Sequence, residues 1–175
     1  MSIIKAAVCH EFSAPLVVEN IQLRKPEAGE VEITLSACAI CHSDISYAEG
    51  GWGGTLPAVY GHEAAGHISA VGSDVKGYSV GNTVVATLLR SCGSCAPCTT
   101  GAPAYCSAVS DLAPLTTLDN QPLEQGMAIG AFAEKVVVHQ SQIAKIPADM
   151  PMDAACLLSC GVITGVGAVV NTAGL

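Results

Sequence analysis

Hydrophobic and polar positions alternate over much of the first two-thirds of this 175-residue chain. In EVEITLSACAI, Val31, Ile33, Leu35 and Ala37 alternate with polar positions. Successive strand side chains point to opposite faces, so a period of two predicts a half-buried strand. IIKAAVCHEF and APLVVENIQL read as two strands ahead of it. HEAAGHISAVGSDVKGYSVGNTVVATLL adds two more, with turns at GSD, KGY and GN, and GAFAEKVVVHQSQIAKI is again β-branched and alternating. Many short strands, Gly-rich turns and few helices predict a mainly β domain, a small barrel or sandwich.

The pattern changes at PADMPMDAACLLSCGVITGVGAVVNTAGL. Pro151 suits the first turn of a helix, MDAACLL has helix-forming content, and a second helix is predicted from about Val162 to Asn171. Gly165 and Gly167 weaken that helix by about 1 kcal/mol each relative to Ala, which predicts a close backbone approach there. The chain thus divides into a β domain over 1–150 and a helical segment over 151–175 that leads toward a further element.

Composition narrows the function. Half the residues are apolar and 13% are charged, a globular balance far from that of disordered chains. The formal charge is −8, and the seven Lys and Arg are scattered, with only Arg24 and Lys25 adjacent, so no basic stripe is expected for a nucleic-acid backbone. The start MSIIKAAVCHEF lacks the long apolar core of a signal peptide, and no apolar run approaches the length of a membrane span. A cytoplasmic protein without a membrane partner is expected. In that reducing compartment nine cysteines, an odd number, point to metal or catalysis rather than to disulfides.

Four of them, Cys92, Cys95, Cys98 and Cys106, stand as C-x2-C-x2-C-x7-C in a Gly- and Pro-rich loop over 91–107. Four thiolates can close a tetrahedron around one structural zinc. An iron–sulfur cluster is the competing reading, although the ferredoxin pattern places its fourth cysteine at x3 with Pro after it, and here it follows at x7 with Ser107 next. Unliganded redox thiols are a third. Cys41, His62 and Cys160 form a sparser set, two soft thiolates and one imidazole, which suits a zinc with an open fourth position. Singly, His62 equally reads as a satisfied histidine and Cys160 as a small buried residue. Cys9, Cys38 and Cys156 lie in apolar runs and read as core residues. No G-x-G-x-x-G occurs, and GWGG at Gly51–Gly54 follows no strand.

CAICHSD, GHEAAGHISAVGSDVKGYSVGNTV, the four-cysteine loop and LSCGVITGVGAVVN, in that order, resemble the zinc-dependent alcohol dehydrogenases of the medium-chain dehydrogenase/reductase superfamily. The resemblance runs through essentially the whole chain. It implies a GroES-like, partly open β-barrel catalytic domain with the Rossmann domain missing. It implies two zinc ions, a catalytic one on Cys41, His62 and Cys160 and a structural one on Cys92, Cys95, Cys98 and Cys106. Glu63 matches a carboxylate beside the catalytic metal, and Asp44 one that orients His62 through its other ring nitrogen. Ser43 matches the hydroxyl that takes the proton from the alcohol, His42 a position facing the cofactor pyrophosphate, and Thr164 one beside the nicotinamide.

The implied reaction interconverts a small-molecule alcohol and an aldehyde or ketone, with hydride transfer to NAD or NADP in a longer, homo-oligomeric enzyme (dimer or tetramer). The 175 residues alone are expected to be inactive. Ser46 stands where many members carry a relay histidine, so the proton path beyond Ser43 departs from the pattern. YAEGGW and GVITGVGAVVNTAG look most similar to the bacterial aryl-alcohol and thiol-dependent formaldehyde dehydrogenase branches. On the residues alone, Ser43 also fits a cap for a helix beginning at Asp44, and His42 a solvated side chain. The rival from another class is a zinc-stabilised GroES-like binding module without chemistry of its own.

Overall fold

The alternating segments form strands that sort into two sheets in the computed structural model, which describes residues 1–108 and 113–175. The strands are β1 (Ser2–Cys9), β2 (Val17–Leu23), β3 (Glu30–Ala39), β4 (Ala58–Val59), β5 (Glu63–Val71), β6 (Thr83–Ala86), β7 (Leu115–Thr116), β8 (Pro122–Gln125), β9 (Lys135–His139) and β10 (Ile143–Lys145). The first sheet, in the order β1-β2-β7-β8-β4, closes into a barrel, and the second, β10-β6-β5-β3-β9, stays open. Among the described residues β4 and β8 form the sole parallel pair, so no doubly wound parallel sheet is present.

Alternation decides which side chains fill the barrel. Ile4, Ala6 and Val8 of β1 and Ile21 and Leu23 of β2 pack with Val59, Leu115 and Leu123 in one buried cluster. Val31, Ile33, Ile68, Val84, Val136 and Val138 make a second cluster from the open sheet. β3 departs from strict alternation because Glu32 is buried too. Its carboxylate accepts hydrogen bonds from Lys135 Nζ at 2.8 Å and Ser69 Oγ at 2.7 Å, which offset the cost of desolvation. The β3–β5 register shifts twice, and at the second shift Gly66 lies opposite Leu35, where any Cβ would collide with the Thr34 carbonyl.

Four short helices complete the chain: α1 (His42–Ala48), α2 (Ala96–Thr99) in the cysteine loop, α3 (Met152–Ala155) and α4 (Gly161–Gly167). α3 runs on as a 3₁₀ turn over Cys156–Ser159, and Ala155 and Cys156 pack on Ala65 and Val85 of the open sheet. Pro151 stands just outside α3, at its cap. The predicted Val162–Asn171 helix begins one residue earlier and widens into a π-type turn over Ala168–Ala173. The close approach expected at its glycines is not there. A Cβ at Gly165 would meet nothing within 4 Å, and one at Gly167 only the Asn171 side chain.

Cys9 and Cys156 are buried as expected, whereas Cys38 is half-buried, its thiol pushed up to about 12 by desolvation. No single helix among the described residues is long and apolar enough to cross a membrane.

Candidate metal centres

The first candidate centre is assembled from three points where regular structure starts or breaks. Cys41 caps α1, two residues beyond the end of β3. The helix starts at His42 and not at Asp44, so the capping role that the sequence allowed for Ser43 falls to Cys41. Asp44, three residues into the cap sequence, turns its carboxylate back so that Oδ2 accepts from the Cys41 backbone N–H at 3.0 Å. Its Oδ1 accepts from Gly61 N–H at 2.9 Å and lies 3.0 Å from His62 Nδ1. One buried carboxylate therefore ties three pieces of the site together.

His62 sits at the seam where the chain leaves the barrel through β4 and enters the open sheet at β5. Gly61 makes that turn with φ +95°, and a Cβ there would lie 2.6 Å from Phe132 N. Only glycine fits both demands. With Nδ1 donating to Asp44, Nε2 is the ring atom left to bind a metal. Burial alone would disfavour a charged imidazole. The Asp44 hydrogen bond and charge, with Cys41 adjacent, outweigh it and raise the His62 pKa.

Cys160 arrives from the far end of the chain. It lies between the Cys156–Ser159 turn and α4, with φ −147° and ψ −67°, outside helical geometry. Donor atoms of Cys41, His62, Glu63 and Cys160 all lie within 4.8 Å of one another. Asp44 and Glu63 are 2% and 4% exposed, yet among the described residues neither pairs with a Lys or Arg. Two buried carboxyl groups and two thiols around one imidazole form a donor set suited to a cation. The soft sulfur and imidazole donors fit zinc, whose ordinary ligands these are.

The other sequence-predicted residues flank this cluster. Ser43 Oγ lies 3.7 Å from Cys41 Sγ, and Thr164 Oγ1, one helical turn after Cys160, lies 4.0 Å from its sulfur. His42 is exposed at the start of α1 and is not drawn into the group. Sequence reasoning passed over two residues. Gly61 carries a signal in the turn before His62, whereas Ser159, buried beside Cys160, shows nothing in the sequence but one hydroxyl in an apolar run.

The second candidate centre is the cysteine loop. The sulfurs of Cys92, Cys95, Cys98 and Cys106 also lie within 4.8 Å of one another, and those of Cys95 and Cys106 are 3.9 Å apart. A zinc–sulfur bond of about 2.3 Å sets a tetrahedral edge of about 3.8 Å, so the spacing fits. Cys92 Sγ accepts from the Ser94 and Cys95 backbone N–H groups at 3.4 and 3.3 Å. Those bonds, the Ser94 N–H first, bring the Cys92 pKa down to about 5. Cys95 is lowered as well, by the N–H groups of Cys98 and Ser107. At Cys92 and Cys95 the backbone thus favours thiolates, the form that binds metal, whereas backbone N–H bonds to Cys106 are outweighed by desolvation and by the sulfurs of Cys92 and Cys98, which raise it.

Comparison with known proteins agrees with this geometry. Residues 27–148 match the family model described as the alcohol dehydrogenase GroES-like domain. Class-3 alcohol dehydrogenase of Zea mays is 36% identical across 97% of this chain and 47% of its own length. S-(hydroxymethyl)glutathione dehydrogenase of Paracoccus denitrificans is 36% identical, across 97% and 48%. Among solved structures, an alcohol dehydrogenase zinc-binding domain protein from Burkholderia ambifaria superposes with a TM-score of 0.90 at 34% identity, covering 98% of this chain and 49% of that one. Benzyl alcohol dehydrogenase from Acinetobacter calcoaceticus gives a TM-score of 0.86 at 30% identity, over 98% and 48%. The chain spans about half the length of the curated relatives it matches. With the barrel, the paired cysteine sites and these matches together, the chain belongs to the alcohol dehydrogenase GroES-like domain family, the N-terminal catalytic domain of zinc-type medium-chain alcohol dehydrogenases.

Proposed function

We propose that this chain is the catalytic domain of a zinc-dependent alcohol dehydrogenase that interconverts a small alcohol and its aldehyde or ketone with NAD or NADP. The observation that carries the reading is the Cys41–His62–Glu63–Cys160 cluster, in which buried His62 and Glu63 meet two half-buried thiols and the carboxyl group has no Lys or Arg partner among the described residues. Zinc bound there supplies a Lewis acid for the substrate oxygen. Cys41, His62 and Cys160 hold it, and Asp44 fixes the imidazole so that Nε2 faces the metal. Ser43, its Oγ 3.7 Å from Cys41 Sγ, is assigned to take the substrate hydroxyl proton, and Glu63 is the carboxyl group next to the site. Thr164 and the exposed His42 are assigned to the nicotinamide cofactor.

A second zinc on Cys92, Cys95, Cys98 and Cys106 is structural. Cofactor binding and hydride transfer are assigned to the longer enzyme, an oligomer, in the reducing cytoplasm where these thiols stay free. The names of the Paracoccus and Acinetobacter relatives give S-(hydroxymethyl)glutathione and benzyl alcohol as the two candidate substrates.

Metal analysis tests the reading. The wild-type chain is expected to carry two zinc ions, and Cys160→Ala and Cys98→Ala one each. Iron in the protein refutes it in favour of an iron–sulfur cluster, and a single zinc lost only with Cys98→Ala refutes it in favour of the zinc-stabilised binding module without chemistry.

A further inference from the structure

Cys160 is held from one side only. Downstream, α4 has no buried residue and cannot fix the cysteine against the sheets. Upstream, the short α3 and the Cys156–Ser159 turn rest on the open sheet through Ala155 and Cys156. Between that contact and the thiol stands Ser159, which is 2% exposed. Its Oγ lies 2.8 Å from the Cys156 carbonyl oxygen and 3.3 Å from that of Ala64. Bonding to Cys156 is the local back-bond that a Ser makes within a helical turn. Bonding to Ala64 is different in kind, because it crosses 95 residues of sequence. Ala64 belongs to β5, one residue after Glu63 and two after His62.

We infer that Ser159 is a positioning residue for the metal centre: its hydroxyl clamps the Cys160 turn to the strand that starts at Glu63, directly after His62. This rests on the zinc reading of Cys41, His62 and Cys160. Asp44 already unites Cys41, Gly61 and His62 through three acceptor contacts. Cys160 has no such carboxylate, and the Ser159 clamp is the corresponding link for the last ligand. A single hydroxyl proton shared between two carbonyls can be lost without unfolding a sheet that its neighbours hold together. What is lost first is the direction of the Cys160 sulfur.

Cobalt(II) is the probe, since its thiolate bands report each site and it competes with a chelator of known affinity. Ser159→Ala is expected to weaken cobalt binding at the Cys41–His62–Cys160 site by about 10-fold or more, the usual loss when a partner of a ligand is removed. The four-cysteine site keeps its affinity, and Ser159→Thr, which retains the hydroxyl, restores the lost affinity. Ile68→Val, a truncation elsewhere in the buried core, serves as the control for stability alone and leaves both sites unchanged. A Ser159→Ala protein with a lower melting temperature but wild-type cobalt affinity overturns the positioning role and leaves the zinc reading standing. A wild-type protein whose cobalt uptake is indifferent to Cys160→Ala overturns both.

Discussion

Asp44 shows how much of this site depends on single atoms. Its two oxygens meet the Cys41 and Gly61 backbone N–H groups and His62 Nδ1, all within 3.0 Å, in a place 2% exposed. Removing the carboxylate leaves two buried N–H donors and an imidazole without partners, so Asp44→Ala is expected to cost about 3 kcal/mol in stability. The loss should also appear in the metal centre, because the ring that Asp44 orients is then free to rotate away from the ligand position. Thermal melts and chelator competition measured together separate the two effects. Undiminished metal affinity in a destabilised Asp44→Ala protein would reduce Asp44 to a helix cap.

At the scale of elements, legibility followed length and periodicity. β1, β2, β3, β5, β6, β9 and β10 coincide with segments that read as strands in the sequence, the short β6 and β10 because they lie inside longer β-branched runs. β4, β7 and β8 have two to four residues and no such run around them, and they pair because the barrel closes around them. Nor does any local pattern announce Met127 and Ala128, both in the left-handed region in the turn after β8. The half-buried Gln125 and buried Gln142 amides bond to the Ile129 and Ala128 carbonyls around that turn, so tertiary contacts hold what local preference opposes. The four-cysteine spacing reads from sequence as a metal loop, whereas the trio Cys41, His62 and Cys160 stands out only through the family resemblance, its members being 21 and 98 residues apart along the chain.

The cysteine loop also illustrates an element without a core. None of residues 91–108 is buried, and α2 contributes no apolar side chain to either sheet. Metal must therefore supply the folding free energy that packing does not. Chelation should open this loop while the strands stay intact. Limited proteolysis after exposure to a strong chelator is expected to cut first within 91–108, and zinc added back should restore resistance. Equal cleavage with and without metal would show that the loop is held by something other than its thiolates.

The whole molecule leaves one surface unaccounted for. Val162, Ile163, Val166, Val169 and Val170 are all more than 40% exposed, and their spacing puts them on one face of α4 and its continuation. An apolar stripe of this width normally faces a core, and a contiguous apolar surface of this kind promotes association when uncovered. The chain covers only about half the length of its relatives, which is consistent with a helix shaped for contacts that these 175 residues do not provide. In isolation the chain should bind a hydrophobic dye and self-associate through this helix. The double variant Val166→Lys and Val170→Lys is expected to lower dye fluorescence and to raise the monomer fraction in sedimentation. It should leave metal content unchanged, because neither residue lies among the ligands or their hydrogen-bond partners. If dye binding persists in the double variant, the sticky surface lies elsewhere, and the groove bordered by the exposed Val18 and Ile40 is the next to probe.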